Sequence, residues 1–207
     1  MTNFIPIFPL GIIVYPGNTL NLHIFEPRYK QLITDCYGEN KPFGIPTVLE
    51  EQVREFGTLV RITAIKEVYE DGRMDISTEG LTVFRILQTM PEVPDKLYAG
   101  AIVNYPPNEE GLLQNSIQPV LKGIRDLHRL LRIDKPLPKP DELMRSYDAA
   151  PLAGLELVQE YELLQLLRED QRIEYLKRHL GRVVPVISQM EALKERVKLN
   201  GHFRLER

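Results

Sequence analysis

The sequence predicts an α+β protein in which a β-barrel is followed by a bundle of α-helices. Over the first 105 residues, apolar side chains recur in short stretches, mostly with a period of two, and turn-forming residues separate them. From Pro119 onwards the apolar period becomes that of amphipathic helices. We therefore predict a barrel subdomain over residues 1–107 and an α-helical subdomain over residues 112–207.

The barrel opens with the densest apolar stretch of the chain, residues 5–29. Prolines and glycines interrupt this stretch at short intervals, and each proline fixes its own φ and lacks a backbone donor. A long helix is therefore excluded. We expect three short strands instead, at about 4–8, 12–15 and 20–25, each of which needs a partner from later in the chain.

A helix is predicted over residues 27–37. Pro27 suits the first helical position, where a backbone N–H has no helical partner. Four apolar side chains then share one face: Tyr29, Leu32, Ile33 and Cys36. Because Cys36 lies on that face, we expect a buried and unreactive thiol.

Four further features complete the predicted barrel. We expect a proline-marked strand over 42–49, a charged loop over 50–55, and a hairpin whose Asp-Gly pair at 71–72 forms a type I′ turn. Gly80 should break the return strand, and alternation predicts another strand over 97–105. Roughly six to eight short strands of this kind are typical of a closed or nearly closed barrel, which leaves no exposed sheet edge.

The second half predicts helices that begin near Pro119 and Pro151, and a third for which Asp170 is the N-cap. The last predicted helix has Pro185 near its start and ends at Asn200-Gly201. One continuous apolar stripe runs along it: Val183, Val186, Ile187, Met190, Leu193 and Val197.

Residues 5–29 read IPIFPLGIIVYPGNTLNLHIFEPRY. This stretch resembles the opening of the LON substrate-binding domain, which stands at the N-terminus of Lon-type ATP-dependent proteases and also forms stand-alone bacterial proteins. The resemblance continues at 56–58, 71–73, 79–81 and 195–203. It implies a PUA-like pseudobarrel and a function in recognising polypeptides or degradation substrates. The implied partners are unfolded or degradation-prone polypeptides and a protease carried on another chain.

The chemistry of a protease is not expected in this chain. It contains no Gly-Lys-Ser or Gly-Lys-Thr, which a phosphate-binding P-loop needs. Ser188 and Lys194 could be considered as a dyad, but we interpret them as ordinary helix surface residues. The four histidines lie far apart, and His23 is expected to be packed and hydrogen-bonded. With a single cysteine as well, we expect no metal site, no cofactor and no enzymatic activity.

Composition indicates the class of protein and the cellular compartment in which it functions. The net charge is −3 and 27% of the residues are charged, which is ordinary for a soluble globular protein. The slight acidity disfavours general nucleic-acid binding. One cysteine suggests a reducing compartment, and no apolar run approaches the roughly 20 residues of a membrane span. Without a recognisable signal peptide, we expect a cytoplasmic protein that does not interact with membranes.

The first candidate site is the corner formed by Glu26, Arg28 and Tyr29. One interpretation is structural: the charged pair positions the strand-to-helix turn and Tyr29 packs. The other is functional, because a charged pair and an aromatic side chain at a barrel rim could contact an extended polypeptide. A small-ligand sensor with a barrel pocket is a further alternative suggested by other LON-domain relatives.

The second candidate site is a basic stripe on the first predicted helix of the second half. Four cations recur there with helical spacing: Lys122, Arg125, Arg129 and Arg132. Since PUA-like barrels are often used on RNA, the stripe could contact phosphates. The alternative is a solvated helix face, which the absence of interleaved aromatic residues favours.

Overall fold

The computed structural model describes residues 2–109 and 117–202, which belong to two compact units. The units are Met1–Glu110 with Glu156–Arg168, and Gly111–Leu155 with Glu169–Arg207. The division predicted from the sequence assigns residues 156–168 to the helical half, whereas they belong here to the first unit.

The first unit is built on one antiparallel sheet. Its six strands are β1 Thr2–Pro6, β2 Thr19–Ile24, β3 Phe43–Leu49, β4 Gln52–Val68, β5 Met74–Met90 and β6 Gly100–Asn104. The strand order is β1-β6-β5-β4-β3, and β2 pairs with β5 beside this path. Helix α1, Pro27–Gly38, follows β2 as predicted.

Residues 7–10 close the sheet. After β1 the chain leaves β6 and runs parallel to β3, where the Phe8 N–H donates to the Gly44 carbonyl at 2.8 Å. The Leu10 N–H donates in the same way to the Pro46 carbonyl at 3.1 Å. The first and last strands of the path are therefore joined, and the predicted PUA-like pseudobarrel is confirmed.

The strand predicted over 12–15 is wrong. This segment is irregular, although Val14 and Tyr15 are buried as the apolar pattern suggested. Two of its polar groups are satisfied without a strand partner: the Thr58 hydroxyl donates to the Val14 carbonyl at 2.5 Å, and the Tyr15 hydroxyl donates to the Glu160 carbonyl at 3.2 Å. Since these bonds replace a ladder, burial here does not require a strand.

The hairpin of β4 and β5 is longer than predicted, with 17 residues in each strand. Gly80 does not break β5, because a register shift between Leu59 and Val60 absorbs the irregularity within a continuous strand. Gly80 is needed for a different reason: a Cβ there would collide with the Tyr15 carbonyl oxygen.

The type I′ turn lies between β3 and β4, not between β4 and β5 as the sequence predicted. Residues 50–55 are not a loop, because Glu50 and Glu51 have φ values of 52° and 61° and β4 begins at Gln52. Positive φ at both central residues is the signature of a type I′ turn. At the predicted type I′ turn, positive φ is found at Gly72 (77°) but not at Asp71.

Two apolar clusters fill the first unit. The larger one contains the buried face of α1, as predicted, together with Phe8, Val14 and side chains of β2 to β5. The smaller one contains Ile5, Ile7, Leu59, Phe84, Ala101 and Val103. Helix α4, Leu157–Gln165, contacts β3 and β4, and the Phe56 N–H donates to the Tyr161 hydroxyl at 3.2 Å.

The helix predicted from Pro151 is divided. Pro151 lies in a short 3-10 turn, Ala150–Leu152, and Gly154 follows with a φ of 69° before α4 begins at Leu157. A left-handed residue does not fit within a right-handed helix, so the two pieces remain separate.

Three helices form the second unit: α2 Gln118–Leu131, α3 Ser146–Ala149 and α5 Glu169–His202. Helix α2 packs against α5 and buries Val120, Leu121, Ile124 and Leu127, while Leu131 is exposed. Within the described chain, every helix is too short or too polar to cross a bilayer.

Helix α5 replaces the two helices that the sequence predicted. It begins at Glu169, so Asp170 lies in its first turn rather than at the N-cap, and it continues past Asn200 to His202. Pro185 lies inside it. Proline removes one helical hydrogen bond, and the remaining bonds of a 34-residue helix are sufficient to continue through that position.

Gly57 provides a test of the close approach between β3 and β4. A Cβ at this position would collide with the Ile45 carbonyl and lie 2.6 Å from Pro46 Cα. We expect Gly57→Ala to lower the free energy of unfolding by about 1–3 kcal/mol, measured by urea denaturation. Gly38→Ala is the control, because no atom lies within 4 Å of the added methyl group. Equal stability of the two variants would contradict this account.

Candidate functional site

The predicted corner residues come together where β2 passes into α1. Glu26 is the N-cap of α1 with extended φ and ψ of −74° and 137°, and its side chain does not cap the helix. Instead its carboxylate accepts a hydrogen bond from Arg28 Nε at 2.8 Å, within an ion pair that is partly exposed. The Arg28 guanidinium carbon lies 4.5 Å from the centroid of the Tyr29 ring.

Tyr29 is the structural member of this group. It is only 7% exposed and stacks on Phe8, with ring centroids 3.7 Å apart. Burial raises the pKa of its phenol, and the neighbouring Arg28 charge opposes that rise. The aromatic side chain that a polypeptide could reach here is Phe25, which is 60% exposed. Sequence reasoning missed Phe25, since its apolar neighbours gave no signal that it points outward.

Helix α1 is held by its polar side. Asp35 Oδ2 lies 2.7 Å from Lys96 Nζ and accepts a hydrogen bond of 2.9 Å from the Tyr98 hydroxyl. The Gln31 side chain accepts a further bond from the Leu97 N–H at 2.6 Å. The hydrogen bond from Lys96 is the main cause that lowers the pKa of Asp35. The corner is therefore fixed on two sides of α1.

The basic stripe is partly neutralised by carboxylates of its own unit. Arg125 Nη2 donates to both carboxylate oxygens of Asp141, at 2.6 and 2.7 Å, and Arg129 pairs with Asp126 at 2.9 Å. Lys122 and Arg132 are exposed, and Arg132 caps the end of α2 with a φ of 55°. Two of the four cations are thus already paired, which favours the solvated helix face. Nucleic-acid binding stays a prediction.

The apolar stripe of α5 is the feature that differs most from expectation. Four of its side chains are 53–63% exposed: Val186, Met190, Leu193 and Val197. With Val183 they recur at alternating spacings of three and four residues, which is the a/d pattern of a helix that packs against another chain. Arg182, Lys194 and Arg196 lie beside this stripe. We call the five apolar residues, from Val183 to Val197, the α5 stripe.

The helix geometry does not favour Ser188 and Lys194 as a dyad. Ser188 and Lys194 lie six residues apart on continuous α5, which separates them by about 240° around the axis and about 9 Å along it. Lys194 pairs instead with Glu191 at 2.6 Å. Within the described residues, no three side chains of His, Cys, Asp or Glu form a group that could hold a metal ion.

His23 is hydrogen-bonded as predicted, but it is not packed in the core. It lies on the outer side of β2, where its Nδ1 is 2.6 Å from Asp75, and Asp75 also accepts a hydrogen bond of 2.7 Å from the Tyr69 hydroxyl. Alternation along the strand explains this exposure, since Leu22 and Ile24 face the opposite side.

Cys36 is buried, and burial raises the pKa of its thiol to about 12, so the predicted unreactive role fits its surroundings.

A buried charge cluster in the second unit was missed by sequence reasoning. Arg172, 1% exposed, pairs with Glu169 at 2.9 Å and lies over the ring of Tyr147. The Glu169 carboxylate also accepts hydrogen bonds from the backbone and the hydroxyl of Ser146. The only sequence signal was the i,i+3 spacing of the two charges, which is common on exposed helices as well.

Comparison with known proteins supports the resemblance that the opening segment carries. A sequence model of the ATP-dependent protease La (LON) substrate-binding domain matches residues 5–182. The chain belongs to this family. The LON match includes the corner and all six strands except the start of β1, and it ends immediately before Val183, the first residue of the α5 stripe.

Two solved structures share the LON fold of this chain. The crystal structure of a Lon N-terminal domain protein from Xanthomonas campestris has a TM-score of 0.64 and 27% sequence identity, covering 84% of this chain and 96% of that one. The N-terminal domain of Mycobacterium avium complex Lon protease has a TM-score of 0.62, covering 87% of this chain and 100% of that one. Its 16% identity supports a common fold alone.

The anchoring of α1 leads to a pH-dependent prediction. Because the folded pKa of Asp35 is lowered, its ionised form stabilises the fold at pH values above the unfolded pKa of about 3.9. That contribution is lost as the pH falls through the lower folded value. We expect Asp35→Asn to reduce the free energy of unfolding by about 1 kcal/mol at pH 7, as measured by urea denaturation.

The difference between wild type and Asp35→Asn should shrink steadily below about pH 4. Glu92→Gln removes an exposed carboxylate of the same unit and serves as the control. A difference that stays constant down to pH 2 would rule out the charge of Asp35 as its source.

Proposed function

We propose that this LON-family chain is a non-catalytic module that recognises polypeptides through exposed apolar side chains. The observation that carries the proposal is the α5 stripe, in which four large apolar side chains are more than half exposed along one helix face. Continuous apolar surface of this kind is rare on proteins that have no partner. Covering it with apolar groups of another chain would remove about 25 cal/mol of unfavourable hydration per Å².

The stripe favours weak binding with low sequence selectivity. Met190, at its centre, is unbranched and adapts to differently shaped neighbours. Arg182 and Arg196, beside the stripe, favour segments that also carry acidic side chains. An unfolded ligand loses conformational freedom when it binds, which keeps the affinity low even where a large area is covered.

The corner is proposed as a second contact surface, in the barrel unit. Phe25 offers an exposed aromatic ring, and the Glu26–Arg28 pair offers charges of both signs. Tyr29 is not proposed as a contact residue, because its ring is stacked on Phe8, which is the packing role of the structural interpretation.

The proposed role in proteolysis is delivery. The sequence lacks the Gly-Lys-Ser or Gly-Lys-Thr of a P-loop. Ser188 and Lys194, both on α5, face different directions. We propose that a polypeptide bound by this chain is cleaved by a protease carried on another chain. The family description, a substrate-binding domain, supports a role in binding substrates that another protein cleaves.

The test is binding of a reduced and alkylated globular protein, which cannot refold, measured by fluorescence anisotropy. Met190→Asp places a charge in the α5 stripe, and we expect it to weaken binding by about tenfold. Ser188→Asp adds the same charge to the same helix outside the stripe and should change the affinity by less than about twofold. Both positions are exposed, so the melting temperatures should remain equal.

Two results would contradict the proposal. Equal binding by the two variants would exclude the stripe as the capture surface. Sedimentation could show instead that Met190→Asp converts a dimer into a monomer while binding of the unfolded protein is unchanged. The stripe would then be a contact between two copies of this chain.

A further inference from the structure

Among the residues that the structure describes, strand β2 has one edge without a partner. On one side it pairs with β5 in unbroken register from Thr19–Glu79 to Ile24–Met74. On the other side, no strand among the described residues pairs with it, and no backbone hydrogen bond reaches it. The closed path of the sheet does not include β2, because residues 7–10 join β1 directly to β3.

The backbone groups that face this open edge can be identified. The Gly80 N–H donates to the Asn18 carbonyl at 2.9 Å, so this pair is hydrogen-bonded. Hydrogen-bonded pairs alternate along antiparallel strands, which assigns the even-numbered residues of β2 to the ladder with β5. Three residues therefore direct an N–H and a C=O toward the open edge: Thr19, Asn21 and His23.

The opposite edge of the same region is protected, and the contrast is informative. There, residues 61–68 of β4 lie beyond the end of β3, and register shifts interrupt the strand at Ile62/Ala64 and Ile65/Glu67. The exposed carboxylate of Glu67 lies on that strand, whereas the Lys66 ammonium reaches across the sheet and donates to Asn21 Oδ1 of β2 at 2.8 Å. Bulges and charges are the usual devices that prevent a further strand from joining a sheet. Strand β2 has neither a bulge nor a Lys or Arg side chain.

The side chains of β2 indicate what could join it. Leu20 and Leu22 are half-buried and pack against the larger apolar cluster, while Asn21 and His23 are exposed on the other face. An added strand would place every second side chain beside the two leucines. Phe25, at the end of β2, extends the exposed apolar surface further.

We propose that β2 binds an extended segment of a polypeptide as an additional strand, with apolar residues at alternate positions of that segment. The outward N–H and C=O groups would supply affinity that does not depend on sequence, and the two leucines would supply a preference for apolar side chains. The inference that the ligand is a polypeptide rests on the proposed function. The edge is a binding surface separate in residues from the α5 stripe.

The decisive measurement is amide hydrogen exchange by NMR on the unmodified protein. The probe is a short peptide in which valine and threonine alternate between terminal lysines. We expect the amides of Thr19, Asn21 and His23 to exchange about tenfold more slowly or better when the peptide is bound. The amides of Leu20 and Leu22 already belong to the ladder with β5 and should change little.

Matched probes and variants complete the test. The same peptide with an N-methyl group on every valine and threonine lacks the backbone donors of both edges and should not bind. Asn21→Pro removes an outward N–H and should weaken binding by about tenfold, whereas Asn21→Ala keeps that N–H and should bind within about twofold of wild type. Melting curves establish that both variants are folded.

Several results would overturn strand addition. They are binding of the N-methylated peptide, wild-type affinity of a folded Asn21→Pro, or an absence of protection at the three amides. Protection that rises with protein concentration without peptide would instead assign the edge to a second copy of this chain. If the unfolded protein still binds through the α5 stripe in any of these cases, the proposed function stands and strand addition fails. Loss of both would reject both.

Discussion

The structure of the first unit depends on the backbone hydrogen bonds that residues 7–10 make to two neighbours at once. The Ile7 N–H donates to Ala99 at 3.0 Å, beside β6, and the next two donors reach β3. Without them, β1 and β3 would both be sheet edges, and the two apolar clusters would be open to water. The approach is close: a Cβ at Gly44 would lie 2.7 Å from the Ile5 side chain.

Closure also determines what lies at the corner. Because residues 7–10 are fixed against β3, Phe8 presents its ring to Tyr29, and this stack holds the first turn of α1. Closure has a second consequence at β5. The later half of β5 pairs with β6 within the closed path, and its earlier half pairs with β2 outside it. The interaction that seals the barrel therefore leaves β2 with one side that no described strand covers.

Sequence reasoning succeeded where a local pattern has one structural solution. Pro27 followed by an apolar face predicted the bounds of α1 to within one residue. The prolines between residues 5 and 29 correctly excluded a long helix there. It was wrong where tertiary contacts override the pattern. Residues 12–15 are apolar enough for a strand, but the Val14 carbonyl accepts its hydrogen bond from the Thr58 side chain instead of a neighbouring strand. Glu50 and Glu51 form a type I′ turn that glutamate does not favour.

The α5 stripe shows a different limit. Its spacing predicted an amphipathic face, and the face is present, but periodicity does not specify which surface will cover it. The open edge of β2 could not be predicted for a similar reason. An edge is defined by strands that are absent beside it, and TLNLHI would read in the same way in the middle of a sheet.

The two proposed surfaces recognise different chemical groups, yet they select for the same property of a ligand. The α5 stripe contacts apolar side chains, which a folded protein buries. The edge of β2 contacts backbone N–H and C=O groups, which a folded protein pairs internally. Neither kind of group identifies a particular sequence, and both become accessible when a protein unfolds. A module that uses both would therefore discriminate by folding state, which is the discrimination that selection of substrates for degradation requires.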